Sequence, residues 1–417
     1  MSPTSVQPGH RRPILISIVL AIVLATGVAV WVTAGDDETS VPDGTAPPTA
    51  GASSVVETVV TTVPDTRYAA PQDALLPAAL VDFFPIGVDF QPTENFELWK
   101  ERGINTVIRA PDGVDVDEWA DAADAAGLYQ VRPARSEATA DVGNPLLLAW
   151  SHRDEPDFNP RQIPAAEIQA QYDAWKAIDP NRPVLVNISG DMESTDLATG
   201  ESGEDFYRPY FAAADWISGD IYPSNRNEPL TWVGRMVDEI EGIADGKPVF
   251  AYIEASDFDI DDYNTSVRSG APTPDELRGE VWHAIIHGAR GIWYFPERVS
   301  PTFGYDDTPD DVAAAMPELH ARITGLASVL QGPIDPPGIA ATVAAPLEVT
   351  WRDTSSGTYF IVLNMSDESR PAQTITLESV GSATTAEVYE EDRSVSIADG
   401  AITDDFEPYA VHIYRIP

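Results

Sequence analysis

The chain has no cysteine. That absence removes disulfides, thiolate nucleophiles, cysteine-ligated zinc and a cysteine-borne lipid anchor together. Lysine is scarce as well: Lys100, Lys176 and Lys247 are the three in 417 residues. Basic residues number 25 against 67 acidic ones, for a net charge of −42. Such a surface repels phosphate backbones, which argues against nucleic acid as a partner. Six histidines are too few and too scattered for a convincing metal centre, and no cofactor is expected. What remains is an apolar content of 43%, ordinary for a protein with a real core, and a length suited to two or three domains.

Residues 13–35 carry no charge and are mostly Ile, Leu, Val and Ala. About 20 apolar residues cross a bilayer as a helix. Arg11 and Arg12 precede the run and Asp36, Asp37 and Glu38 follow it, so the positive-inside rule leaves the N-terminus in the cytoplasm. The run exceeds the usual signal-peptide core of about 7–15 residues, which favours an uncleaved anchor over cleavage near Ala34. Either way the remainder is exported. Residues 36–78, rich in Thr, Ser, Pro, Gly and Ala, hold too few large apolar groups to offset the entropy of ordering, and read as a flexible tether.

From residue 84 the chain alternates short apolar runs with helical patterns. The runs are 85–90, 105–110, 128–133, 146–150, 183–188, 216–222, 248–253 and 291–295. Most are continuous, as in parallel strands covered on both faces. Helical patterns at 93–102, 116–126, 164–178, 229–244, 274–289 and 310–330 are punctuated by Pro or Ser/Thr/Asp at their starts and Gly at several stops. Eight strands with crossover helices predict a (β/α)₈ TIM barrel over 79–332. The competing doubly wound sheet has fewer strands and a glycine-rich turn after the first; here the first strand runs into Asp89-Phe90-Gln91-Pro92. Barely ten residues, 135–144, separate the third and fourth strands, near the minimum for a parallel crossover, so the third helix is expected to be one turn or absent.

Beyond Gly332 the pattern changes to short alternating runs at 339–343, 347–351, 358–363, 373–377, 386–389, 395–397 and 410–414. These predict an antiparallel β-sandwich over 333–417, packed on the barrel as a structural domain, with carbohydrate binding as the alternative.

A barrel presents its chemistry at the C-terminal ends of its strands. Strand one ends on Asp89, strand two on Arg109, and strand three offers Arg132 and Arg135. Strand four carries Trp150, His152, Asp154 and Glu155; strand five Asn187 and Asp191; strand six Asp220 and Tyr222. Strand seven ends on Glu254, and strand eight gives Trp293, Tyr294 and Glu297. Glu155 and Glu254 come from well-separated strands, as needed to flank a glycosidic bond with one proton-donating carboxylic acid and one carboxylate. Arg109 is suited to keeping a carboxylate ionised, or to a structural ion pair with Asp89. Trp150, Tyr222, Trp293 and Tyr294 are candidate sugar platforms, with packing as the alternative for each. Asp89, His152, Asp154, Asn187 and Asp220 complete the candidate substrate-binding set.

At these residues the chain resembles the retaining glycoside hydrolases of the large (β/α)₈ clan that includes β-galactosidases and cellulases. The similarity lies in Gly103-Ile-Asn-Thr-Val, Asp179-Pro-Asn-Arg-Pro-Val, Ser218-Gly-Asp-Ile-Tyr-Pro and His287-Gly-Ala-Arg-Gly-Ile, in that order along the chain. The resemblance implies Glu155 as acid/base after strand four, Glu254 as nucleophile ending strand seven, Arg109 beside it, and an oligo- or polysaccharide substrate. One position departs: Asp154 stands where the clan has an asparagine that bonds the sugar 2-hydroxyl. Its charge beside Glu155 is expected to raise that group's pKa, which suits a general acid. Asp257 and Asp259 are alternatives to Glu254. Two other functions fit the same residues: a catalytically silent barrel binding envelope or extracellular polysaccharide, and a metal-dependent hydrolase using His152, Asp154 and Asp220. His283 and His287, spaced i, i+4, precede strand eight, away from the mouth, where a surface or packing role is expected.

Overall fold

The structure, a computed structural model, describes residues 81–158, 161–190, 203–257, 270–300 and 302–417. The expected membrane helix and tether lie outside the described residues. Among the described residues no helix is long and apolar enough to cross a membrane.

Eight parallel strands close a barrel in sequence order: β1 (Ile86–Asp89), β2 (Thr106–Ile108), β3 (Tyr129–Arg132), β4 (Leu147–Ser151), β5 (Val184–Ile188), β6 (Trp216–Gly219), β7 (Val249–Glu254) and β8 (Ile292–Phe295). The ring is closed by β1 and β8, which pair Gly87 with Trp293. Buried side chains including Ile108, Val131, Leu148, Leu185, Trp216, Phe250, Tyr252 and Trp293 fill one cluster inside it, so the interior is a packed core. Trp293 stacks on Phe250 with ring centres 4.9 Å apart. This explains Gly87: a Cβ there would lie 2.5 Å from Trp293 and 2.7 Å from Ile108.

The outer layer forms where the sequence has caps. Helix Val116–Ala126 opens on the Asp115 side chain, which accepts from the Asp117 and Glu118 amides, and stops at Gly127 with φ 70°. Helix Pro274–Ile286 begins with a reciprocal Thr273–Glu276 capping box. Between β3 and β4 there is only a 3₁₀ turn, Ala138–Asp141, as the short spacing implied. Asp141 replaces the missing helix as organiser. Fully buried, it receives Arg132 at 2.6 and 3.1 Å, the Arg135 amide at 3.0 Å and Trp150 Nε1 at 2.9 Å. Two helices among the described residues were not expected, Gly203–Ala212, which carries the helix breaker Pro209 inside it, and the single turn Pro223–Arg226.

The C-terminal strands β9 (Ala340–Thr342), β10 (Leu347–Thr354), β11 (Gly357–Asn364), β12 (Arg370–Glu378), β13 (Thr385–Val388), β14 (Arg393–Ser396), β15 (Ala401–Phe406) and β16 (Val411–Ile416) form two antiparallel sheets. Their orders are β10-β11-β16-β13-β14 and β15-β12-β9. Strand β15 escapes sequence pattern because Asp404 occupies an inward position beside Ile402 and Phe406; there it accepts from Arg393 at 2.7 Å and Tyr414 at 2.9 Å.

His283 and His287 sit where sandwich meets barrel. His287 bridges Asp238 (3.0 Å) on the barrel and Glu348 (2.8 Å) on β10. Burial lowers its pKa, but the two carboxylates outweigh that and push it up to about 9. His283 Nδ1 accepts the Gly234 amide at 2.9 Å, one of the unpaired donors in the first turn of helix Trp232–Ile243. Its proton is thereby fixed on Nε2, facing Glu348 at 3.1 Å. The pair fastens two domains, in keeping with a packing role.

Removing the Asp141 carboxylate leaves two arginines without their buried anion. Asp141→Ala is expected to lower unfolding free energy by about 3–5 kcal/mol in urea denaturation, with Asp141→Asn milder; an unchanged midpoint would refute its organising role.

Candidate active site

Strained residues directly follow β1 and β2, and a third lies in the loop after β4. Phe90 (φ 47°), Arg109 (φ 45°) and Glu155 (φ 42°) are left-handed without being glycine. Each such residue costs of order 1–3 kcal/mol and persists only where its surroundings enforce it. At the end of β2 the twist carries the Arg109 guanidinium over the Phe90 ring, 4.8 Å from its centre.

Arg109 is the hub. It donates to both oxygens of Asp89, to Asp154, and to the Tyr252 hydroxyl at 2.8 Å. Tyr252 in turn donates to Asp89 at 3.0 Å. Asp154 also accepts from Asn187 at 2.9 Å, whose amide oxygen accepts from Ser218 at 2.7 Å and whose nitrogen reaches Asp220 at 3.4 Å. A continuous polar rail therefore crosses the mouth from β1 to the end of β6. Burial pushes the Asp89 pKa up to about 6, against the pull of Arg109.

Glu155 stands beside the rail, its carboxyl close to that of Asp220. Two carboxyl groups crowded together away from water resist ionising together. Burial, then the charges of Asp220 and Asp154, hold Glu155 well above the usual carboxylate range. Burial and Asp154 push Asp220 up to about 8. The pair thus retains a proton at neutral pH. Glu155 lines a cavity of about 660 Å³ with Arg109, Arg153, Asp154, Arg161 and Trp175.

Glu254 faces different company. Fully buried, its carboxyl accepts the Ser224 amide (2.5 Å), the Asn225 amide (2.8 Å) and the Asn225 side chain (2.5 Å), the unpaired donors of the turn Pro223–Arg226. Glu280 from helix Pro274–Ile286 lies beside it. Burial, then the Glu254 charge, raise Glu280 well above the usual carboxylate range; burial raises Glu254 as well. Glu254 does not line the cavity that Glu155 lines.

The aromatic candidates separate. Trp150 lies behind the barrel wall against Trp175, 5.8 Å between ring centres. Trp293 belongs to the barrel core, and Tyr294 points outward to His320 at 2.9 Å. Tyr222, half-buried at the mouth, stacks on Phe295 at 5.2 Å. His152 lines the cavity but bonds the Ala213 carbonyl at 2.9 Å, and burial lowers its pKa to about 4, leaving it a neutral donor. It therefore does not converge with Asp154 and Asp220 on a metal. Among the described residues the metal-compatible group is His283, His287 and Glu348, whose nitrogens the domain junction already uses. Asp191 and Asp259 lie outside the described residues. Tyr252, Ser218 and Phe295 were not among the sequence candidates. Tyr252 was recoverable, since it lies two residues before Glu254 on the same strand face; Glu280 carried no signal of its own.

No protein-family model matches this chain, and a search of curated proteins finds no relative. Among solved structures the chain is similar to a GH42 β-galactosidase from G. stearothermophilus, with 9% identity and a TM-score of 0.52 over 80% of this chain and 98% of that one. It is also similar to an α-amylase from Geobacillus thermoleovorans complexed with acarbose, with 10% identity and a TM-score of 0.50 over 81% and 98%. At such identities the likeness is one of fold.

The raised carboxyls make stability depend on pH in a definite sense. Asp220 ionises near 8 in the folded chain against about 3.9 unfolded. Its contribution is therefore complete below about pH 4 and is lost as pH rises through 8. Asp220→Asn keeps the neutral shape, so its melting temperature is expected to gain on the wild type steadily across that window. Parallel curves would disprove the buried proton.

Proposed function

We propose that this chain is a glycoside hydrolase that cleaves O-glycosidic bonds of an oligo- or polysaccharide by a two-glutamate, retaining mechanism. Glu155 is the acid/base and Glu254 the nucleophile. The observation that carries this reading is Glu155 itself: a strained residue in the loop after β4, close to a second carboxyl, lining a cavity at the face where barrels do chemistry. A carboxylic acid that keeps its proton at neutral pH is what the leaving oxygen needs. Asp154, held by Arg109 and Asn187, offers its second oxygen to a sugar hydroxyl. Asp220 tunes the acid, and Tyr222 on Phe295 offers an aromatic wall. The two fold neighbours named above are glycosidases, and the fold permits the same chemistry without requiring it. On this reading residues 13–35 anchor the chain in the membrane, with the barrel outside the cell.

The enclosure of Glu254 by Ser224, Asn225 and Glu280 favours a second reading, in which the barrel binds polysaccharide without cleaving it. Turnover separates the two. On the hydrolase reading, Glu155→Gln lowers kcat on aryl glycosides by about 10²–10⁴-fold, Glu254→Gln abolishes turnover, and Asp220→Asn moves the alkaline limb of the pH profile to lower pH because it removes a charge that raises Glu155. Undiminished activity in Glu254→Gln excludes it as nucleophile. A wild-type chain that retains glycans on a column but turns over none supports the binding reading.

A further inference from the structure

Guanidinium groups are in short supply here, with 25 basic residues against 67 acidic ones. Most are used within the chain: Arg102 pairs with Asp306 at 2.9 Å, Arg132 with Asp141 at 2.6 Å, and Arg393 with Asp404 at 2.7 Å. Two stand apart. Exposed Arg153 has no hydrogen bond or ion pair among the described residues. Arg161, 44% exposed, approaches Glu155 no closer than 3.9 Å, beyond hydrogen-bonding reach, and otherwise lies over the Phe158 ring at 5.1 Å. Both line the cavity that holds Glu155.

A solvated surface arginine is usually unremarkable. In this chain carboxylates are plentiful, and four acidic residues, Asp112, Asp154, Glu155 and Glu167, line the same cavity. None of them forms a hydrogen bond with Arg153 or Arg161 among the described residues. Asp154 is taken by Arg109 and Asn187, and Glu155, 3.9 Å from Arg161, is held well above the usual carboxylate range by its surroundings. Two guanidinium forks therefore flank the proposed acid with their donors unspent, and such a planar fork matches a carboxylate or sulfate oxygen pair.

We propose that the cavity takes a sugar bearing an oxyanion substituent, held by Arg153 and Arg161 beside Glu155. Uronate carboxylates and sulfate esters share this chemistry. The proposal rests on the reading of the cavity as a glycan site. Repulsion from acidic groups more than about 8 Å away is largely screened at physiological salt, while the two arginines act inside that distance.

The test is binding by the full chain in affinity electrophoresis, using two matched pairs: polygalacturonate against its methyl ester, and dextran sulfate against dextran. Retardation by the charged member of either pair supports the proposal, and which pair responds identifies carboxylate or sulfate as the source. Arg153→Gln with Arg161→Gln should weaken that binding roughly tenfold or more, while Arg235→Gln on an outer helix, the charge control, leaves it unchanged. Equal binding of charged and neutral members, no binding of either charged polymer, or full affinity in the double variant overturns it. Because the readout is binding, the two readings fail separately. A chain that binds polygalacturonate and cleaves nothing keeps this proposal and loses the hydrolase reading. A chain that cleaves neutral glycosides and ignores charge does the reverse.

Discussion

Arg109 lies between Asp89 and Asp154, two carboxylates that would otherwise repel each other at the mouth of the barrel. Its guanidinium is almost fully buried, a costly position for a charge, and only a complete set of partners makes it tenable. Asp89 and Tyr252 close one side and Asp154 the other, so the arginine ties β1, β2, β7 and the β4 loop together. The strained backbone at Phe90, Arg109 and Glu155 persists because this network over-determines it. Moving the arginine would release the rail through Asn187 and Ser218 and the seat of Glu155 with it.

Two carboxyl pairs accompany that hub, Glu155 with Asp220 in the segments after β4 and β6, and Glu254 with Glu280 between β7 and helix Pro274–Ile286. In each, a glutamate that ends or follows a strand meets a second acid contributed by another element, and burial disfavours two adjacent charges. The pairs differ in access. Glu155 borders a cavity, whereas Glu254 is capped by backbone amides of the turn after β6.

Much of the architecture was legible in the sequence. The run 146–150 is apolar without alternation, a signature of a strand covered on both faces, and the order of eight such runs implied the barrel. Short spacing before it implied the missing third helix. The same lack of alternation hid which way its side chains point. Trp150 and Tyr294 face outward to the helices, and no local pattern distinguishes them from inward-facing neighbours. Pro209 concealed a helix because propensity is a weak prior that packing overrides, and Asp404 concealed a strand because an inward acid is tolerated only once Arg393 and Tyr414 are folded against it.

The sequence by itself determined the barrel, the sandwich and the identity of the residues at each strand end, because strand runs, caps and turns are written over a few adjacent residues. Only the tertiary structure decided where those residues point and which of them hold protons. Asp220 lies 65 positions after Glu155, Glu280 lies 26 after Glu254, and Arg109 stands 20 from Asp89 and 45 from Asp154. Burial and a neighbouring charge set a carboxyl's state, and both come from parts of the chain that meet only when the barrel closes.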